Sequence, residues 1–454
     1  MQSTRSLSAG RFDALDTLRF LAVLVMVQGH AFYLTLTEAA HHESWYGWHN
    51  YLHGYTAPAF LFGAGLAFGY TTLTDRMANH ATWGPTLRKR LYRYLSLFAI
   101  GYAIQLPPLA VSTQHWTAET IRTFMRVEAL QHIGAVLILM QLLVIWLRRP
   151  WPVAWSALAL GAAVVLAGPA VSRVPVDAWG SPAVAAYMSL DAGSTFPLLP
   201  WSGFVLVGVF VGAAVYRLRA RLAPLTLAWS FVGAGLVLVA VSLGLDRQLP
   251  DIFGPHFYWK VSPYFFLRRL GWVIVMLGAF AVVDAYLPVR VGKASKARQW
   301  VRLISQHSLV AYVGHLVLLY GSPISPGLRV VVTGKLGLVG SSLVVLGLFV
   351  LLALLLMLWQ SWEQRFELRF LRFRRVSVAV MAVAAMVAGL RIAWRPTAET
   401  APPIVANVED APAAATPTSA AAVDESEDQN SQPDVTAVDP TLTAKAGDAL
   451  SALQ

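Results

Sequence analysis

The chain of 454 residues contains no cysteine. That absence excludes disulfide scaffolds, thiolate zinc sites and cysteine nucleophiles, and it leaves the compartment open. Charge is the second scarcity: 13% of residues are Asp, Glu, Lys or Arg, against 56% hydrophobic, and the mean hydropathy is +0.55. A soluble domain of ordinary composition is about 25% charged, so a water-soluble globule of this length would lack the polar surface to cover itself. The sequence reads as an integral membrane protein. A net charge of +11 invites a nucleic-acid reading, but a basic stripe needs a water-facing surface. The charges here fall between long apolar runs, and no nucleic-acid partner is expected.

Charge is also unevenly spread. From Ala401 to Gln454 the chain is rich in Ala, Pro, Ser, Thr, Asp and Glu, with Lys445 its only basic residue. That segment carries about −8 while the rest carries about +19. Such a tail buries too little apolar surface to offset its ordering entropy and is expected to be disordered. The expected organisation is a cytoplasmic segment over 1–16, a transmembrane domain over 17–395 and an acidic tail over 396–454.

A transmembrane helix needs about 20 mainly apolar residues. Eleven runs qualify, near Leu18–Thr37, Leu52–Leu73, Leu91–Leu109, Ala129–Leu147, Val153–Val171, Leu199–Tyr216, Pro224–Leu245, Leu267–Leu287, Leu303–Tyr320, Leu336–Leu358 and Val376–Trp394. The expected fold is therefore an all-α polytopic bundle of about 11 transmembrane helices. Every second loop is basic: Arg88-Lys89-Arg90 with Arg93, Arg148-Arg149, Arg217 with Arg219 and Arg221, the stretch Arg290 to Arg302, and Arg365 to Arg375. Basic loops stay in the cytoplasm, which puts the N-terminus inside, the C-terminus outside and the protein in the cell (inner) membrane, among lipids. The first run is longer than a signal-peptide core and lacks a small-residue cleavage site, so it reads as a permanent span. Small residues four apart at Gly65/Gly69 and Gly208/Gly212 suit close helix packing.

Ionisable groups within spans are costly and usually face a cavity or the bundle interior. His30 stands about 16 Å along a helix from Arg19, and His315 about 20 Å from Arg302, which places both in the outer half of the ~30 Å hydrocarbon layer. His132, Arg268-Arg269 and Trp201 open inward-running spans at similar depth. Each has a bland reading as a packed or snorkelling group, but their clustering near one face favours a site. Asp16 and Arg19, at i, i+3 spacing on the inner side, suit either helix-dipole compensation or an anionic ligand from the cytoplasm. Asp284 is expected to pair with a basic neighbour such as Arg290. The first outer loop holds His41, His42, His49 and His53 among Trp45, Tyr46, Trp48, Tyr51 and Tyr55. No regular ligand spacing marks a metal site there, and the aromatics suit an interfacial belt or stacking on a sugar.

Several stretches together resemble known membrane acyltransferases. Arg11-Phe12-Asp13-Ala14-Leu15-Asp16-Thr17-Leu18-Arg19 leading to Met26-Val27-Gln28-Gly29-His30 resembles the first-span signature of both the acyltransferase-3 family and the heparan-alpha-glucosaminide N-acetyltransferase family. Ala57-Pro58-Ala59-Phe60-Leu61-Phe62 with Gly63 to Gly69, Arg88 to Tyr94, Ala129-Leu130-Gln131-His132-Ile133-Gly134, Phe196-Pro197-Leu198-Leu199-Pro200-Trp201, and Ser308-Leu309 with Tyr312 and His315 resemble motifs of the second family in order. The resemblance implies an enzyme that takes an acetyl or other acyl group from cytoplasmic acyl-CoA (acetyl-CoA) to a glycan or glycolipid acceptor on the far side. His30 would be the base or acyl carrier, and His132 and His315 would shape the site. Arg268 or Arg269, with Trp201, would hold substrate, while Asp16, Arg19, Arg88, Lys89 and Arg90 would meet coenzyme A. Histidine suits proton transfer near neutral pH, and arginine and lysine suit phosphates. A transporter or flippase for a glycan or lipid-linked substrate is the rival reading.

Overall fold

The computed structural model describes residues 12–106, 117–250, 252–286, 295–322 and 325–365. Within them the secondary structure is helical, with two isolated bridges and no strand. Its main helices are α1 (Asp13–Thr35), α2 (Ser44–His53), α3 (Thr56–Thr72), α4 (Pro85–Ile104), α5 (Ala118–Met125), α6 (Ala129–Leu147), α7 (Pro150–Ser172), α8 (Leu198–Leu218), α9 (Pro224–Gln248), α10 (Pro263–Tyr286), α11 (Lys296–Gln306), α12 (Ser308–Tyr320) and α13 (Leu338–Arg365). Seven of these are long and apolar enough to cross a membrane, or eight if one bent pair counts as a single span. The chain is a multi-pass membrane protein. The run at Val376–Trp394, the acidic tail and residues 1–11 lie outside the described residues.

Three expected spans look different in the structure. The run from Leu52 is divided: Leu52 and His53 end α2, and a new helix starts at Thr56. That leaves α3 with 17 residues, about 26 Å at the helical rise. α4 carries Arg88, Lys89, Arg90 and Arg93 in its first half and is not among the helices long and apolar enough to cross. The run at Leu303–Tyr320 is broken at His307, where α11 and α12 meet at 73°. The break has an electrostatic cause. Arg298 reaches Asp284 at 2.9 Å and Asp13 at 3.4 Å, and Arg302 reaches Asp13 at 3.3 Å. These pairs turn α11 across the start of α1 rather than along α12. Arg298 is thus the partner of Asp284, while Arg290 lies outside the described residues.

The paired glycines bring α3 and α8 together. A Cβ on Gly65 would fall 1.9 Å from the Val205 carbonyl oxygen, and one on Gly208 2.3 Å from that of Phe62. Backbone meets backbone there, and the fully buried Phe62, Leu66 and Leu206 pack around the crossing. A second apolar cluster joins the later half of α1 to α12 and α13 through Val27, Ala31, Leu319 and Leu348. α1 contributes to both clusters, so its remaining face is held between two packed blocks.

Candidate active site

That face of α1 lines a cavity of about 1640 Å³. Asp16, Arg19, Met26, Gly29, His30 and Tyr33 border it, at intervals that keep one helical face. From Asp16 to Tyr33 the helix rises about 25 Å, most of a ~30 Å hydrocarbon layer. At the Asp16 end the wall also carries Ser305, Gln306 and Ser308; at the Tyr33 end it carries Tyr46, His49, Asn50 and His53. Arg126, Glu128, Trp201, Lys260, Arg269, Tyr312 and Tyr320 also border it, as do Gln105, Glu119 and Arg329.

His30 and His315, expected from sequence to share a depth, are in hydrogen-bond contact: His315 Nε2 lies 3.2 Å from His30 Nδ1. The other ring nitrogen of the wholly buried His315, Nδ1, is 3.0 Å from the Ala311 carbonyl oxygen. A carbonyl only accepts, so Nδ1 of His315 donates, and in the neutral ring Nε2 must then accept. His30 therefore donates from Nδ1. Its Nε2 keeps the lone pair, on a residue that borders the cavity. Because α12 begins afresh at Ser308, His315 is reached about 10 Å along that helix, and the bend rather than a straight run from Arg302 brings it here.

His53 is the residue that sequence reasoning undervalued. Its ring centroid is 5.8 Å from that of His30, and the space it occupies exists because residue 29 is glycine. A Cβ there would lie 1.9 Å from His53 Cδ2. The glycine just before His30 was the available signal. Burial, with His49 as a second cause, lowers the pKa of His53 to about 4, and burial lowers that of His49 as well.

The two candidate arginines part company. Arg268 turns to Asp246, 2.6 Å away, where the Tyr258 hydroxyl also donates. Arg269 borders the cavity, with its guanidinium 4.1 Å from the centre of the Phe265 ring and 5.7 Å from that of Trp201. Among the described residues no carboxylate pairs with it, and its Nε and the Trp201 indole nitrogen have no hydrogen-bond partner. Trp201 is 6% exposed. Arg126, which also borders the cavity, holds Glu128 at 2.8 Å, and Thr195 donates to the same carboxylate. Burial raises the pKa of Glu128 against the pull of Arg126.

His132 does not border the cavity. Its Nδ1 donates to the Phe196 carbonyl at 3.0 Å, tying α6 to the segment that leads into Trp201. Asp16 and Arg19 do border it; Asp16 accepts from Ser305 at 2.7 Å, and Arg19 donates to the Gly63 carbonyl at 2.9 Å. Arg88 and Lys89 are exposed away from the cavity wall. Arg90 is occupied by the Tyr94 hydroxyl at 3.1 Å, His80 Nδ1 at 3.2 Å, the Thr72 hydroxyl and the Phe68 ring.

Residues 11–243 match the family model described as heparan-alpha-glucosaminide N-acetyltransferase, catalytic. His30, His53, His132 and Trp201 lie inside the matched stretch; Arg268, Arg269 and His315 lie beyond it. No curated protein matches the chain.

Proposed function

Given that the chain belongs to the heparan-alpha-glucosaminide N-acetyltransferase family, we propose that this membrane acetyltransferase carries an acyl group from cytoplasmic acyl-CoA through the α1 cavity to a sugar acceptor. The observation that carries the reading is the cavity itself, bordered by both Asp16 and Tyr33 with His30 between them. In this account the donor enters at the Asp16 end, where Arg19, Ser305, Gln306 and Ser308 offer polar contacts. Arg88 and Lys89, exposed and not part of the cavity wall, draw in the phosphates. Arg90 is a weaker candidate because its guanidinium is already spent on Tyr94, His80 and Thr72.

His30 Nε2 is the reacting nitrogen. Its lone pair serves either course: it takes the proton from the attacking hydroxyl or amine, or it attacks the thioester carbonyl and carries the acyl group. His315 is a positioning residue that fixes the tautomer. His132 is another, holding the approach to Trp201. Arg269, a cation in a spanning helix with no paired carboxylate among the described residues, orients the acceptor together with Trp201; leaving it uncompensated is expensive unless a ligand oxygen or anion meets it. Arg268 is neutralised by Asp246 and keeps a structural role.

Purified protein with radiolabelled acyl-CoA and a sugar acceptor tests the reading. It predicts free coenzyme A release that depends on His30. Uptake of the sugar without thioester cleavage would instead support a transporter. Acid quenching without acceptor separates the two courses, since only the acyl-carrier course leaves label on the protein.

A further inference from the structure

His30 is the inner member of a longer array. From His53 the rings continue to His49, with centroids 6.2 Å apart and planes at 15°, then to Tyr46 at 5.7 Å and 25°, and to His41 at 4.6 Å. The array runs from the wholly buried His315 to the partly exposed His41. His53 Nε2, both ring nitrogens of His49 and His41 Nε2 are buried without a hydrogen-bond partner in the protein. Imidazole nitrogens out of contact with protein groups are costly unless water meets them, and His30, His49 and His53 all border the cavity. Beside the His49 and His53 rings lie Phe32 of α1, 5.1 Å from His49, and Tyr46 of α2, 5.7 Å from it; Tyr33 of α1, Glu119 of α5, Glu128, Arg269 of α10 and Tyr320 of α12 border the same cavity. Burial leaves both imidazoles neutral at rest, so each ring passes a proton on instead of holding it.

We infer that His53 and His49 form a relay that carries the acceptor's proton from His30 to water at the outer end of the cavity. This rests on the acyltransferase reading in the course where His30 acts as the base. As the acceptor oxygen or nitrogen bonds to the acyl carbon, the thioester C–S bond breaks and its electron pair leaves on sulfur. The acceptor's proton passes to His30 Nε2, then through bridging water to His53, His49 and outer water. The coenzyme A thiolate takes its proton from water at the Asp16 end. Each turnover then releases one proton on the acceptor side and consumes one on the donor side. Without the relay the proton returns from His30 to the thiolate and none crosses.

The test uses the full chain in proteoliposomes, with acyl-CoA on the donor side, a sugar acceptor on the other and a pH-sensitive dye on the acceptor side. Wild-type protein is expected to acidify the acceptor side by one proton per acyl group. His53→Ala should lose about tenfold or more of its rate in weak buffer and regain it as imidazoles are added on the acceptor side, in the order of their pKa values. Gly29→Ala keeps every imidazole but displaces the His53 ring, and should show the same buffer-dependent loss. A wild-type stoichiometry of zero, or a His53→Ala loss that no buffer restores, overturns the relay while leaving acyl transfer standing. Absence of acyl transfer in the wild type overturns both.

Discussion

His315 backs His30 at 3.2 Å, with its own Nδ1 tied to the Ala311 carbonyl. This one relationship decides which nitrogen of His30 is available for chemistry. The same logic operates wherever a second group holds a catalytic imidazole in one tautomer.

Replacing His30 with alanine is expected to lower the turnover number by about 10²–10⁴-fold. His315→Gln keeps a polar side chain but not the fixed acceptor, and should lose less, with the loss in kcat rather than KM. Steady-state kinetics on both variants checks the order. Equal losses, or a loss in His315→Gln confined to KM, would count against a tautomer-fixing role.

Arg268 and Arg269 should separate cleanly. Arg269→Gln is expected to raise KM for the acceptor while leaving thermal stability close to wild type. Arg268→Gln leaves Asp246 and Tyr258 without their cation and should destabilise the fold by about 1.5–3 kcal/mol, the range for hydrogen bonds to charged groups. Thermal unfolding in detergent alongside acceptor titrations reads both.

Gly65→Ala forces a Cβ to within 1.9 Å of the Val205 carbonyl oxygen, whereas Gly47 has nothing within 4 Å of the same position. Overpacking of this kind costs about 1–3 kcal/mol. Chemical denaturation should show that loss for Gly65→Ala and none comparable for Gly47→Ala.

Acid should loosen the α2 segment. The folded pKa of His53, about 4, lies below the ordinary 6.5, and His49 moves in the same direction. Between those pH values the unfolded chain binds more protons than the folded one, so stability falls as pH drops from about 6.5 to about 4 and is flat above. His53→Gln should show a smaller fall over that window in thermal melts.

Much of the bundle was legible in the sequence because long apolar runs have few alternatives. The run at Ala129–Leu147 coincides with α6, and those at Leu199 and Pro224 begin within a residue of α8 and α9. Failures came where charge was distributed on one helical face. The Lys296 to Gln306 stretch continues into an apolar run, yet its arginines are drawn to Asp13 and Asp284 and the helix turns. The shared depth of His30 and His315 was readable from helical rise. The choice of Arg269 over Arg268 was not, since adjacent residues on a helix point about 100° apart and only packing shows which one meets Asp246. For His53 the one trace was Gly29, because its arrival beside His30 depends on α2 folding back over the gap that this glycine leaves.

The most direct measurement is acyl transfer in sealed proteoliposomes, with labelled acyl-CoA confined to the Asp16 side and acceptor to the other, comparing wild type with His30→Ala. The account predicts label on the acceptor across the bilayer in the wild type and its loss by at least about a hundredfold in the variant. Label reaching the acceptor at an unchanged rate in His30→Ala, or only when donor and acceptor share one side, would contradict it.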